Sequence, residues 1–161
     1  MKMGKMLEPS QYARRRYKIS QPVDMDVALN YSCALMAIAG SDGELAEAEL
    51  QWYLDEQTIL TDEPQEYLEA LRNLDWKSAN IEELLSGISY GFPMNFRRSM
   101  LYQAIKMSRA DGVYHEQEKG AVAKAAEILG IERSVVVTLE SLAEIEESAE
   151  RLRLAVFETD V

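Results

Sequence analysis

Ile38-Ala39-Gly40-Ser41-Asp42-Gly43 is read a second time, 69 residues further on, as Met107-Ser108-Arg109-Ala110-Asp111-Gly112. Under the same shift Leu35 and Met36 fall on Ala104 and Ile105, and Glu47 and Glu49 fall on Glu116 and Glu118. Each copy reads as an apolar helix, an Asp-Gly turn and a Glu-x-Glu pair opening a second helix. Asp and Gly favour turns, and acids in a first helical turn oppose the positive pole of the helix dipole. One helical hairpin used twice implies an all-α bundle with pseudo-twofold symmetry, its repeats covering about 24–92 and 93–157.

Outward from the repeat, apolar residues recur at helical spacing. Val27, Tyr31, Ala34 and Ile38 make one face of a helix over 23–39, which follows Pro22 and stops at Gly40. Leu50, Tyr53 and Leu54 face a second helix that starts near 46 and runs to 58 or 60. Asp62, Glu63 and Pro64 form a helix start, since Pro is tolerated in a first turn, and the helix carries Tyr67, Leu68, Leu71 and Leu74. Ser78 or Asn80 caps a short helix holding Ile81, Leu84, Leu85 and Ile88, closed by Gly87 and Gly91. After Pro93, the stripe Phe96, Met100, Ala104 and Met107 predicts a helix ending at 109 or 110. Val122, Ala125, Ala126 and Leu129 face inward on a helix over 115–129, with Gly130 in a left-handed C-cap. From Ser134 onward, Leu142, Ile145, Ala149, Leu152 and Val156 recur at steps of three and four, a stripe that packs against a neighbouring helix. Three β-branched residues, 135–137, argue for a strand but sit inside this stronger helical period. The sequence predicts seven or eight helices.

The 161 residues, 47% hydrophobic and 28% charged, are ordinary for one compact soluble domain. A net charge of −11 repels phosphate backbones, so nucleic acid is disfavoured as a partner, whereas cations or a basic protein suit the surface. Residues 1–20 hold Lys2, Lys5, Arg14, Arg15, Arg16 and Lys18 against Glu8, a net of +5 that leaves −16 for the remainder. The expected organisation is a basic N-terminal arm, 1–20, followed by a single helical domain, 21–161. Such an arm can visit anionic lipid or fold back on the acidic body. It lacks the apolar stretch of a signal peptide, and the longest apolar run, 34–39, is well short of the roughly 20 residues a membrane-spanning helix needs. A cytoplasmic protein, reaching at most the inner face of the membrane, is the expectation. One cysteine, Cys33, excludes an intramolecular disulfide framework and Cys-rich metal sites and fits a reducing compartment; on an apolar helix it reads as packing.

The duplicated motif has two readings. Asp-Gly-x5-Glu, as Asp42-Gly43 to Glu49 and Asp111-Gly112 to Glu118, is the second half of an EF-hand pattern, in which Gly makes a sharp turn and the distal Glu returns to the ion. The oxygen-bearing positions of the first half are missing: Ile38, Gly40, Met107 and Arg109 stand there. A complete EF-hand is not expected, but two half-loops sharing an ion are compatible with calcium, which accepts 6–8 oxygens. Glu47, Glu116 and His115 are secondary candidate ligands, His115 lying four residues after Asp111 and three before Glu118. A helix–helix turn explains the same residues without any ligand.

These motifs, Ser41-Asp42-Gly43 to Glu49 and Ala110-Asp111-Gly112 to Glu118, each after an apolar helix, resemble the tellurite-resistance TerB family, whose related domain also occurs at the N-terminus of the co-chaperone DjlA. The resemblance spans roughly 24–157. It implies a duplicated all-helical fold, an acidic patch that binds divalent metal through Asp42, Glu49, Asp111 and Glu118, and a non-enzymatic part in a bacterial stress response. It also implies protein partners in a complex near the membrane. Ser41 departs from the Ala that usually precedes the Asp, and the basic arm lies outside the resemblance.

Enzyme chemistry finds no support in the residues. Glu-x-x-His pairs, phosphate-binding Gly-rich loops and a second histidine are all missing. Two expectations from different classes stand: a divalent-cation-binding stress-response module, or a metal-free helical adaptor whose acidic face docks a basic protein or whose arm touches lipid.

Overall fold

The computed structural model describes residues 4–41, 43–91, 94–110 and 116–158, with the backbone alone at Gln117. Its first long helix, α2 (Met25–Ala39), begins where the Asp24 carboxylate accepts from the backbone N–H groups of Asp26 and Val27. That capping satisfies donors a helix start would otherwise leave orphaned. Apolar residues follow almost without interruption from Cys33 to Ala39, so α2 is buried on most of its circumference and packs against five other elements.

The duplication is written into the helix boundaries. α2 ends at Ala39 and α6 (Phe96–Ser108) ends at Ser108, while α3 (Glu47–Leu60) and α7 (Glu116–Leu129) both have 14 residues and begin and end 69 positions apart. The core lies where α2 and α6 meet, with Leu35, Met36, Met100, Leu101, Ile105 and Met107 fully buried. Between the hairpins, α4 (Gln65–Arg72) and α5 (Ile81–Ser86) cover α2 through Tyr67, Leu71 and Leu85, and Asn80 caps α5 by accepting from Glu83 N–H. Gly130, at φ +68, follows α7: its N–H donates to Glu127 O and that of Ile131 to Ala126 O, a paired C-terminal closure that a side chain would strain. The chain then enters α8 (Arg133–Glu158), which takes up Val135, Val136 and Val137 as helix. Among the described residues there are eight helices, and the fold is all-α as expected.

The helix absent from the sequence reading is α1 (Gln11–Tyr17), in the basic segment. Ser10 caps it by accepting from Ala13 N–H, and Lys18 closes it at φ 58. The segment folds back on the body: strand β1 (Met6–Leu7) pairs antiparallel with β2 (Val23–Asp24), Ser10 N–H donates to Leu60 O, and Asp62 N–H donates to Glu8 O. Ala13 is buried. Three of its cations are engaged, Lys5 by Glu66, Arg14 by Glu8 and Arg16 by Glu146.

A second departure concerns α8. Its first half packs on α6 through Val136, Leu139 and Ala143, but the expected inward stripe does not continue. Ile145, Leu152 and Val156 are 65%, 66% and 61% exposed, and every residue from 148 to 158 lies in solvent. The helical period is present, yet none of the described residues covers this stripe.

Candidate functional site

The first repeated turn is built by the end of α2. Gly40 N–H donates to Met36 O, Ser41 N–H to Ile38 O, and Gly43 N–H back to Gly40 O, with Gly43 at φ +102, a conformation glycine adopts without strain. Gly40 serves space as well as termination: a Cβ there would lie 2.5 Å from the Trp76 ring, which packs over this turn. In the second turn Ala110 N–H donates to Met107 O, and Arg109 stands where Gly40 stands in the first. Its guanidinium is held in a two-pronged ion pair by Glu147 of α8, at 2.7 and 2.8 Å.

Of the six acids and one histidine singled out from the sequence, Asp42, Asp111 and His115 lie outside the described residues. Glu47 and Glu116 open α3 and α7 and are exposed, Glu116 pairing with Lys119 one turn on. Glu49 and Glu118 occupy the third position of the same two helices and are half-buried. Among the described residues no group of three or more potential metal-ligating side chains comes together. The donor chemistry of the four remaining glutamates is oxygen alone, which suits a hard divalent cation.

A second site is invisible from local spacing. A groove of about 830 Å³ opens between α1, α3, α6 and α8. Tyr12 and Tyr17 of α1 form one wall, and Tyr102 and Lys106 of α6 face them. On its floor Tyr31 donates to Gln103 Oε1 at 2.6 Å, with Ser99 Oγ 3.0 Å away, and burial raises the Tyr31 hydroxyl well above the ordinary phenol range. Glu146 gathers two elements at the rim, accepting from Tyr102 at 2.6 Å and from Arg16 at 2.9 Å. Glu56 lies within the groove, where burial pushes its carboxyl up and the Lys106 ammonium partly opposes that rise. Four cations line the groove, Arg16, Lys18, Arg98 and Lys106, against three acids, making it locally positive in an acidic protein. The one local signal for the α1 wall was Ser10 preceding a short segment with Arg14, Arg15 and Arg16 in its last turn, where cations complement the helix dipole.

Below the groove floor a buried hydroxyl chain ties three helices. Ser32 donates to Ala28 O at 2.8 Å, so the Tyr53 hydroxyl, 2.7 Å away, donates to Ser32 Oγ, while Tyr67 donates to Gln57 Oε1 at 3.0 Å. Burial raises both phenols, that of Tyr67 to about 12.

Taken together, two helical hairpins of matching length, covered by short helices and a long C-terminal one, make an all-α fold of the TerB-like class. No family model and no curated protein matches the chain. A solved structure does: a tellurite resistance protein from Nostoc punctiforme, 24% identical, superposes with a TM-score of 0.78 over 94% of this chain and 93% of that one. The two chains share a fold across nearly their whole length. Among the described residues no helix is long and apolar enough to cross a membrane.

Proposed function

We propose that the protein is a non-enzymatic module of a tellurite or related stress response that binds a divalent cation at its two Asp-Gly turns, through Asp42, Glu49, Asp111 and Glu118. The end-to-end likeness to a tellurite resistance protein supports the first half of this reading. The observation that carries the second is the equivalence of Glu49 and Glu118. Both are the third residue of the second helix of a hairpin, both are half-buried, and both follow a turn whose Asp-Gly the sequence repeats. Carboxylate oxygens at equivalent places in the two hairpins are the donors a hard divalent cation takes, and an ion shared between them would tie the hairpins together.

The test is thermal unfolding of EDTA-treated protein with Ca²⁺, Mg²⁺, Mn²⁺ or Zn²⁺ added, beside the Asp42→Asn/Asp111→Asn double variant. An ion at a hundred times its Kd adds about 2.7 kcal/mol, a rise of roughly 5–10 °C in wild type, and the double variant should show none of it. Equal melting of both proteins in every ion would make the turns scaffold, and the acidic surface would then be that of a metal-free adaptor.

A further inference from the structure

The second half of α8 carries an apolar stripe that none of the described residues covers. Leu142, Ile145, Ala149, Leu152 and Val156 alternate at steps of three and four, the spacing that puts residues on the seam of a two-stranded coiled coil. Four of them are 43–66% exposed and Ala149 is exposed as well, while Phe157 beside them is 79% exposed. Scattered exposed apolar residues are ordinary, but a continuous stripe at heptad spacing along one helix is a contact surface. From these exposed heptad positions and the charges that flank them we infer that this stripe pairs antiparallel with the same stripe of a second copy of the chain, forming a twofold dimer.

Charge selects the second copy and the direction. Along the helix, Glu144, Glu146, Glu147 and Glu150 are followed by Arg151 and Arg153. A twofold axis near residue 150 lays the acidic stretch of each helix over the basic stretch of the other, whereas parallel pairing in register would set like charges side by side. In the antiparallel register Ile145 meets Val156 of the partner subunit, and Ala149 meets Leu152 of the partner subunit, a small residue against a large one. Glu146 and Arg153 then flank the seam on one edge, and that edge is the one carrying α1, because Glu146 holds Arg16.

The groove supports the same occupant. The C-terminal end of α8 is the negative pole of a 26-residue helix, carries Glu158, and has no basic residue in its last turn. Antiparallel pairing brings that end to the locally positive groove lined by Arg16, Lys18, Arg98 and Lys106, and sets Phe157 near Tyr12, Tyr17 and Leu142, which are 49%, 43% and 43% exposed. The contact is isologous, so each copy covers the other's groove mouth and the assembly closes at two.

Sedimentation equilibrium of the full chain from low to high micromolar concentration should give twice the 18.3 kDa chain mass. Leu152→Glu should give single-chain mass with an unchanged circular dichroism spectrum, since the site is exposed. Direction is read by cysteine pairing in a Cys33→Ser background. Ile145→Cys mixed with Val156→Cys should form a disulfide between chains, and neither should do so alone, because each residue is about 16 Å along the axis from its own counterpart. A single-chain mass at every concentration overturns the inference. So does self-linking of either cysteine variant alone, which marks a parallel pair, or a Leu152→Glu protein that stays dimeric.

Discussion

The two hairpins keep the same length and register but are locked by different chemistry. In the first, Ser32 on α2 and Tyr53 on α3 form a buried hydrogen bond. The equivalent positions 69 residues on are Leu101 on α6 and Val122 on α7, equally buried and wholly apolar. At the turns the contrast recurs: Gly40 leaves room for the Trp76 ring, whereas Arg109 reaches the Glu147 carboxylate. In both cases the lock comes from the element that follows the hairpin in the chain, the α4–α5 connection for the first and α8 for the second. Duplication thus fixes backbone geometry, while either polar or apolar closure serves so long as every buried group finds its partner.

Exchange of the two closures should be costly in proportion to what it leaves unfilled. Leu101→Ser puts a hydroxyl without the tyrosine partner of the first hairpin into an apolar site and opens a cavity, and should lower unfolding free energy by about 3–5 kcal/mol in urea titration. A loss no larger than that of an exposed substitution would show that the second hairpin tolerates the polar lock. Next, Gly40→Ala should cost about 1–3 kcal/mol by overpacking against Trp76. In the Trp76→Ala background most of that cost should vanish, and an additive double-variant cycle would deny the contact its role.

The smallest effect belongs to the second turn. The Arg109 N–H groups hold the Glu147 carboxyl below its ordinary range. A carboxyl depressed in the folded state contributes stability that is complete above its unfolded pKa, about 4.3, and fades as pH falls through the lower folded value. Glu147→Gln should therefore lose about 1 kcal/mol at pH 7, and the gap between variant and wild type should close in strongly acidic solution. A gap that persists unchanged to acid would place the stabilisation outside this ion pair.

Much of this architecture was legible from local pattern. The helix end at Ala39, the end of α6 to within two residues, the Gly130 closure and the buried stripe of α6 follow from period and turn chemistry, each a matter of near neighbours. What escaped was set by distant ones. The α1 wall depends on Ser10 reaching Ile59 and Arg16 reaching Glu146, contacts 49 and 130 positions apart, and its excess of charge reads locally as a tail. Likewise the groove tyrosines, 12, 17, 31, 67, 90 and 102, share no spacing and meet through the fold alone. The stripe on α8 was legible as a contact surface but not as one that the described residues leave uncovered, because heptad spacing does not say which chain supplies the opposing helix. At the turns, Glu49 and Glu118 were correctly placed in equivalent first turns, while Asp42, Asp111 and His115 lie outside the described residues.

The folded-back segment also orders events in time. During synthesis, residues 4–20 precede the partners that hold them, Ser10 emerging 49 positions before Ile59 and Arg16 130 positions before Glu146. A nascent chain can therefore match Arg14 with Glu8 and Lys5 with Glu66 early, but Arg16 waits for Glu146, and the groove cannot close before α8 has emerged.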